Sequence, residues 1–218
     1  MKSPLLATLA LAFIGAGASP AATIVYDNTA TDTQVTYFYS TGPYVGIGDS
    51  ITLGGTDRVL DSATVQFYNA LKSTGTFSAT LNFYEAGSPA GAPIGGQYVV
   101  DNILIPFQDI VNVTFTNLNL LVPDNLAFLV GITNVTGTVD LGLNAYTAPS
   151  PGSSDDAAIV VSNGSFIQTG STARGEGNLY LILDANTPST GVPEPGTVTL
   201  VGGALIGVLA IARKRNAS

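Results

Sequence analysis

Apolar residues recur at every second position through most of this chain, and that period decides its fold class. In Thr76-Phe77-Ser78-Ala79-Thr80-Leu81-Asn82-Phe83 they alternate strictly with hydroxyl and amide side chains. The same pattern holds Ala63, Val65 and Phe67, then Val111, Val113 and Phe115. It returns at Val139, Leu141, Leu143 and Ala145, and at Leu179, Leu181 and Leu183. Strand side chains point alternately to the two faces, so these runs predict antiparallel strands with one face on a core and one in water. Gly54-Gly55, Ser73-Thr74-Gly75, Gly87-Ser88-Pro89, Pro123-Asp124-Asn125, Thr136-Gly137 and Pro151-Gly152 punctuate the runs. Asn163-Gly164 has the composition of a two-residue hairpin. No segment between residues 22 and 185 keeps helical spacing over ten residues. About ten strands at such spacing predict an all-β chain, an antiparallel β-sandwich of jelly-roll or Greek-key type.

Composition removes whole classes of chemistry. The chain has no cysteine and no histidine, which excludes a Ser-His-Asp triad, a thiol nucleophile and a histidine-based zinc or copper site. Stability must come from packing and hydrogen bonds, since no disulfide can form. No phosphate-cradling glycine loop stands between a strand and a helix. Residues 22–185 hold three basic residues, Arg58, Lys72 and Arg174, against fourteen acidic ones, a net of −11. Nucleic-acid affinity rests on neutralising phosphates, so no nucleic-acid partner is expected.

The acids themselves are spread through turns, as at Asp49, Asp57, Asp61 and Asp124, rather than paired across a cleft. No catalytic residue is assigned, and the chain is read as not an enzyme; a carboxylate-based polysaccharide hydrolase or lyase is the least favoured alternative. The absence of tryptophan removes the usual flat platform for a sugar ring, although nine tyrosines remain. No cofactor is required. Calcium is the cation that the oxygen-rich loops suit, at Asp27-Asn28 with Asp32 or at Asp155-Asp156, although turn capping accounts for both. No metal ligand is assigned. A calcium-assisted carbohydrate-binding module is the main alternative reading.

Both ends are unlike the middle. Met1-Lys2 followed by LLATLALAFIGAG has the basic start and apolar core of a signal peptide. Cleavage after Ala18, Ala21 or Ala22 fits equally, and residues 1–21 are taken as the signal. Residues 22–185 then form one domain, and residues 186–192, NTPSTGV, an extended linker. From residue 193 to 218 runs a tail in three parts: Pro193-Glu194-Pro195, the apolar stretch 197–212, and Arg213-Lys214-Arg215. Sixteen helical residues span about 24 Å, somewhat less than the roughly 30 Å hydrocarbon core. The basic cluster acts as a membrane stop and places the C-terminus in the cytoplasm, with the domain outside. Pro193 and Pro195 fix their own φ angles and extend the residues before them, so Glu194 is presented on a pre-extended strand.

This tripartite tail resembles the PEP-CTERM sorting signal of bacterial exported proteins. The resemblance implies that Pro193, Glu194 and Pro195 are the motif read by an exosortase-type processing enzyme. It implies a transient membrane anchor through residues 197–212, and a final place on the cell surface or in the extracellular matrix. Exopolysaccharide is the candidate matrix partner. Farther upstream, GDSITL, LDSATVQF, GTFSATLNFYEAGSPAGAPIG and LLVPDNLAFLVGITN resemble the choice-of-anchor β-sandwich domains, a resemblance that implies a surface module without assigned chemistry. The expected function is therefore that of an exported, non-enzymatic surface or matrix-associated protein.

Overall fold

A computed structural model describes residues 22–41, 44–71, 73–85, 91–147, 149–162, 165–169 and 178–186. All of them belong to one compact unit, Ala21–Pro188. The signal segment 1–21, the tail with Pro193, Glu194, Pro195, Arg213, Lys214 and Arg215, and nearly all of the linker lie outside the described residues. Among the described residues no helix is long and apolar enough to cross a membrane.

The described residues are all-β, and every strand pairing among them is antiparallel. In chain order the strands are β1 (Thr23–Asp27), β2 (Asp32–Phe38), β3 (Tyr44–Thr52), β4 (Val59–Asn69) and β5 (Gly75–Glu85). They continue as β6 (Ile94–Ile105), β7 (Ile110–Leu121), β8 (Asn125–Thr136) and β9 (Leu141–Tyr146). Last come β10 (Ser153–Ser162), β11 (Ser165–Thr169), β12 (Asn178–Leu179) and β13 (Leu181–Asn186). One 3-10 turn, Tyr39–Thr41, carries the chain from β2 in one sheet to β3 in the other. Its Tyr39 is buried and donates its hydroxyl to the Val130 carbonyl at 2.7 Å.

The seven-stranded sheet is organised on β4. Strand β7 pairs along one side of it, from Val59–Leu121 to Tyr68–Ile110. Its other side is shared, with β13 against Val59–Val65 and β9 against Phe67–Asn69. Strand β1 lies outside β13, and β2 outside β9. The six-stranded sheet runs β11-β10-β3-β8-β5-β6. Inward residues of both sheets meet in one apolar cluster: Val65, Phe67, Leu143 and Leu183 from the first, with Ile47, Leu81, Phe83 and Phe128 from the second. Phe67 and Phe77 join the sheets edge to face, ring centroids 4.8 Å apart. Burying one such ring contributes about 2–3 kcal/mol, which is how a disulfide-free domain of this size is held together.

Expected alternation and observed strands agree at the core positions of β4, β5, β7 and β13. The predicted hairpin also forms, with Ser162 opposite Ser165 and two residues between them. Three expectations need correction. The described residues form thirteen strands rather than about ten, and the two-residue β12 is too short for a period to register. Val139 precedes β9 instead of starting it. The third concerns water: β9 is buried on both faces. Its outer residues meet neighbours, not solvent. Asn144 accepts from Thr36 at 2.7 Å and donates to Gln66 at 2.9 Å, and Gln66 donates to Asn112 at 3.1 Å. A ladder of neutral side chains thus crosses β2, β9, β4 and β7, and Tyr146 adds its hydroxyl to Gln66 at 3.0 Å.

Candidate functional site

Strand β3 reads Tyr-Val-Gly-Ile-Gly-Asp-Ser-Ile-Thr, with two glycines on alternate positions. Ile47, Asp49 and Ile51 point inward, so Gly46 and Gly48 fall on the outer face, where they bring no side chain and are covered by their neighbours. The neighbouring strand β8 adds Gly131 and Ala127 on the same outer face, since Leu126, Phe128 and Val130 take the core positions. The Ile47–Val130 pair brings Gly46 beside Gly131, and Gly48 pairs with Leu129. Missing side chains on adjacent strands make a trough.

That trough is a groove of about 260 Å³ over the outer face of the six-stranded sheet. Its apolar floor is Leu129 and Val161, which with Ala127 and Ile159 form a second buried cluster, separate from the main core, against which Tyr84 packs. One wall is polar. Gln97 of β6 is the register partner of Asn82 of β5, and Thr80 lies two residues from Asn82 on the same face. Thr133 lines the groove as well. Asn82, Gln97, Thr80 and Thr133 make no side-chain hydrogen bond among the described residues, and no carboxylate or basic side chain lines the groove. The phenol of Tyr84 is its one titratable group among the described residues, and burial raises its pKa above the ordinary value.

The groove contrasts with the ladder on the other sheet. There, Gln66, Asn112 and Asn144 spend their amides on one another. In the groove, Asn82 and Gln97 are register partners but make no such bond among the described residues. A concave, mainly apolar surface with a few convergent polar groups is the usual form of a small-ligand site.

Compared with family models, curated proteins and solved structures, the chain matches none.

The loop acids serve as local caps. Asp27 accepts from Thr29 at 2.7 Å, Asp32 from the Gln34 amide at 2.7 Å, and Asp155 from the Ala157 amide at 3.2 Å. Asn28 is fully buried, and its Nδ2 donates to the Leu179 carbonyl at 2.9 Å. Among the described residues no three acids gather where a metal ion would be held. Arg58 is the one base described, and its guanidinium makes four hydrogen bonds. Its Nε meets Asp124 at 2.6 Å, and its Nη groups close on the carbonyls of Gly54, Gly55 and Asp57.

One acid is deeply buried. Asp49 of β3 accepts from the Ser50 amide at 2.7 Å and from the Ser154 hydroxyl of β10 at 2.9 Å. The Leu179 amide of β12 also donates to it. Desolvation pushes this carboxyl well above the usual range; the donors act against that, and the charge on Asp155 adds to it. Asp49 therefore joins three strands and stands on the core side of β3, opposite the groove. Sequence reasoning placed it among the turn acids. The groove residues were missed too, although glycines alternating inside a strand mark a close approach of backbone or ligand.

Proposed function

We propose that the chain is an exported, non-enzymatic surface or extracellular-matrix protein, delivered through its C-terminal tail and processed there by an exosortase-type enzyme. The observation that carries this reading is the unbroken order of Pro193-Glu194-Pro195, apolar residues 197–212 and Arg213-Lys214-Arg215. A rigid extended motif, a span short for a bilayer and a basic stop make a temporary membrane handle with the motif at its outer boundary. Residues 1–21 act as the signal, 22–185 as the cargo, 186–192 as the spacer and 193–218 as the sorting tail. The cargo is a β-sandwich of jelly-roll or Greek-key type. Two antiparallel sheets around one shared core support that reading.

Processing is testable in the native host by blot and cell fractionation. Pro193→Ala with Glu194→Ala should leave an uncleaved precursor in the membrane fraction, while the wild type appears shorter and outside it. Mature size and location unchanged by the double substitution would refute the sorting role of the tail.

A further inference from the structure

We infer that the groove over the outer face of the six-stranded sheet binds a neutral polysaccharide chain. This goes beyond the export reading and does not depend on it, because every residue concerned lies between Val45 and Val161.

Charge selects the class of ligand first. Among the described residues no ionised side chain lines the groove, and residues 22–185 carry a net charge of −11. Anionic polymers, whether nucleic acid or acidic polysaccharide, are repelled by that field, and a cation would find no carboxylate in the groove. The polar wall then narrows the choice among neutral ligands. An acyl chain laid over Asn82, Gln97, Thr80 and Thr133 would bury their amides and hydroxyls unpaired, at about 1–3 kcal/mol each. A peptide strand adds to a sheet edge, where backbone groups are free, whereas β3, β5 and β8 beneath the groove are paired on both sides. A sugar satisfies both surfaces at once. Its hydroxyls can exchange hydrogen bonds with the amides of Asn82 and Gln97, and its C–H faces can pack on Leu129, Val161 and the Tyr84 ring.

Geometry favours a chain over a single sugar. The lining residues come from five adjacent strands, β10, β3, β8, β5 and β6. Four gaps between strands cover about 19 Å at the usual spacing. Gly46 is the point at which this trough can be closed without disturbing the fold. A Cβ placed there meets Val161 Cγ2 at 3.6 Å and the Val130 carbonyl at 3.7 Å, ordinary contacts, and projects into the groove.

The test uses the full-length protein in a detergent without a sugar headgroup, run in native gels cast with galactomannan, dextran or a β-1,3-glucan, with alginate as the acidic control. At least one neutral polymer should retard the wild type, alginate should not, and EDTA should change nothing. Gly46→Leu should abolish retardation with its melting curve unchanged. Asn82→Ala and Gln97→Ala should each weaken binding roughly three- to tenfold, the worth of one hydrogen bond. Should Gly46→Leu fail to fold, the Asn82→Ala/Gln97→Ala double variant decides by the same readout. The inference is overturned if no neutral polymer retards the wild type, or if retardation survives these substitutions. Loss of retardation in EDTA would also overturn it, by moving binding to a metal-dependent site such as the Asp27–Asp32 loop. None of these outcomes depends on whether the tail is processed.

Discussion

Asp49 is a carboxyl group held inside the protein by three donors, and its cost depends on pH. Burial raises its pKa in the folded state above the unfolded value near 3.9. The folded state therefore holds this proton more tightly than the unfolded chain. The stability that Asp49 contributes is complete below about pH 4 and is lost as pH rises through the folded-state value. Asp49→Asn removes the titration while keeping an acceptor for Ser50 and a donor for Ser154. Melting temperatures taken from pH 4 to 8 should show the wild type losing ground steadily to this variant as pH rises. A constant difference across the range would mean that Asp49 keeps its ordinary pKa. The sequence does not show this, because Asp49 in Gly48-Asp49-Ser50 has the composition of a turn. Only the pairing of β3 between β10 and β8 turns it inward.

At the scale of elements, β3 carries two glycines that the structure distinguishes sharply. A Cβ on Gly48 would overlap the Phe128 carbonyl oxygen across the β3–β8 pairing, while one on Gly46 meets only ordinary contacts. Gly48→Ala must push the central strands of the six-stranded sheet apart, at a cost of about 2–3 kcal/mol or more. Gly46→Ala should stay within about 1 kcal/mol of the wild type. Denaturant melts of the two variants check this, and equal effects would contradict the packing of β3 on β8. The strands themselves were legible where alternation ran over five residues or more, as in β4, β5, β7 and β13. Their edges were not. In β6 and β7 the register slips near Asn102 and between Asn117 and Asn119, all three with left-handed φ angles. Asn tolerates that conformation, and each extra residue makes a bulge that locally interrupts the ladder. Strict period-two reading carries a run straight through such an extra residue. The groove was illegible for a related reason. Glycine, threonine and asparagine on an outward face look like solvent filling until the register sets Gly46, Gly131 and Asn82 side by side.

At the scale of the whole molecule, charge and packing oppose each other. The core joins two sheets without cross-links, whereas residues 22–185 carry fourteen acids and three bases. The ion pair between Arg58 and Asp124 does little to offset this. Asp124 is 72% exposed, and exposed pairs contribute at most about 1 kcal/mol. The remaining acids repel one another through solvent, which destabilises the compact state relative to the expanded chain. Salt screens that repulsion, shortening the Debye length from about 30 Å at 0.01 M to about 8 Å at 0.15 M. The melting temperature should therefore rise as sodium chloride is added over this range, and potassium chloride should act equally, since screening is blind to the cation. A fall would show that attractive pairs dominate the surface. A rise with millimolar calcium far above that from equal ionic strength of sodium would instead reveal a specific cation site among the loop acids.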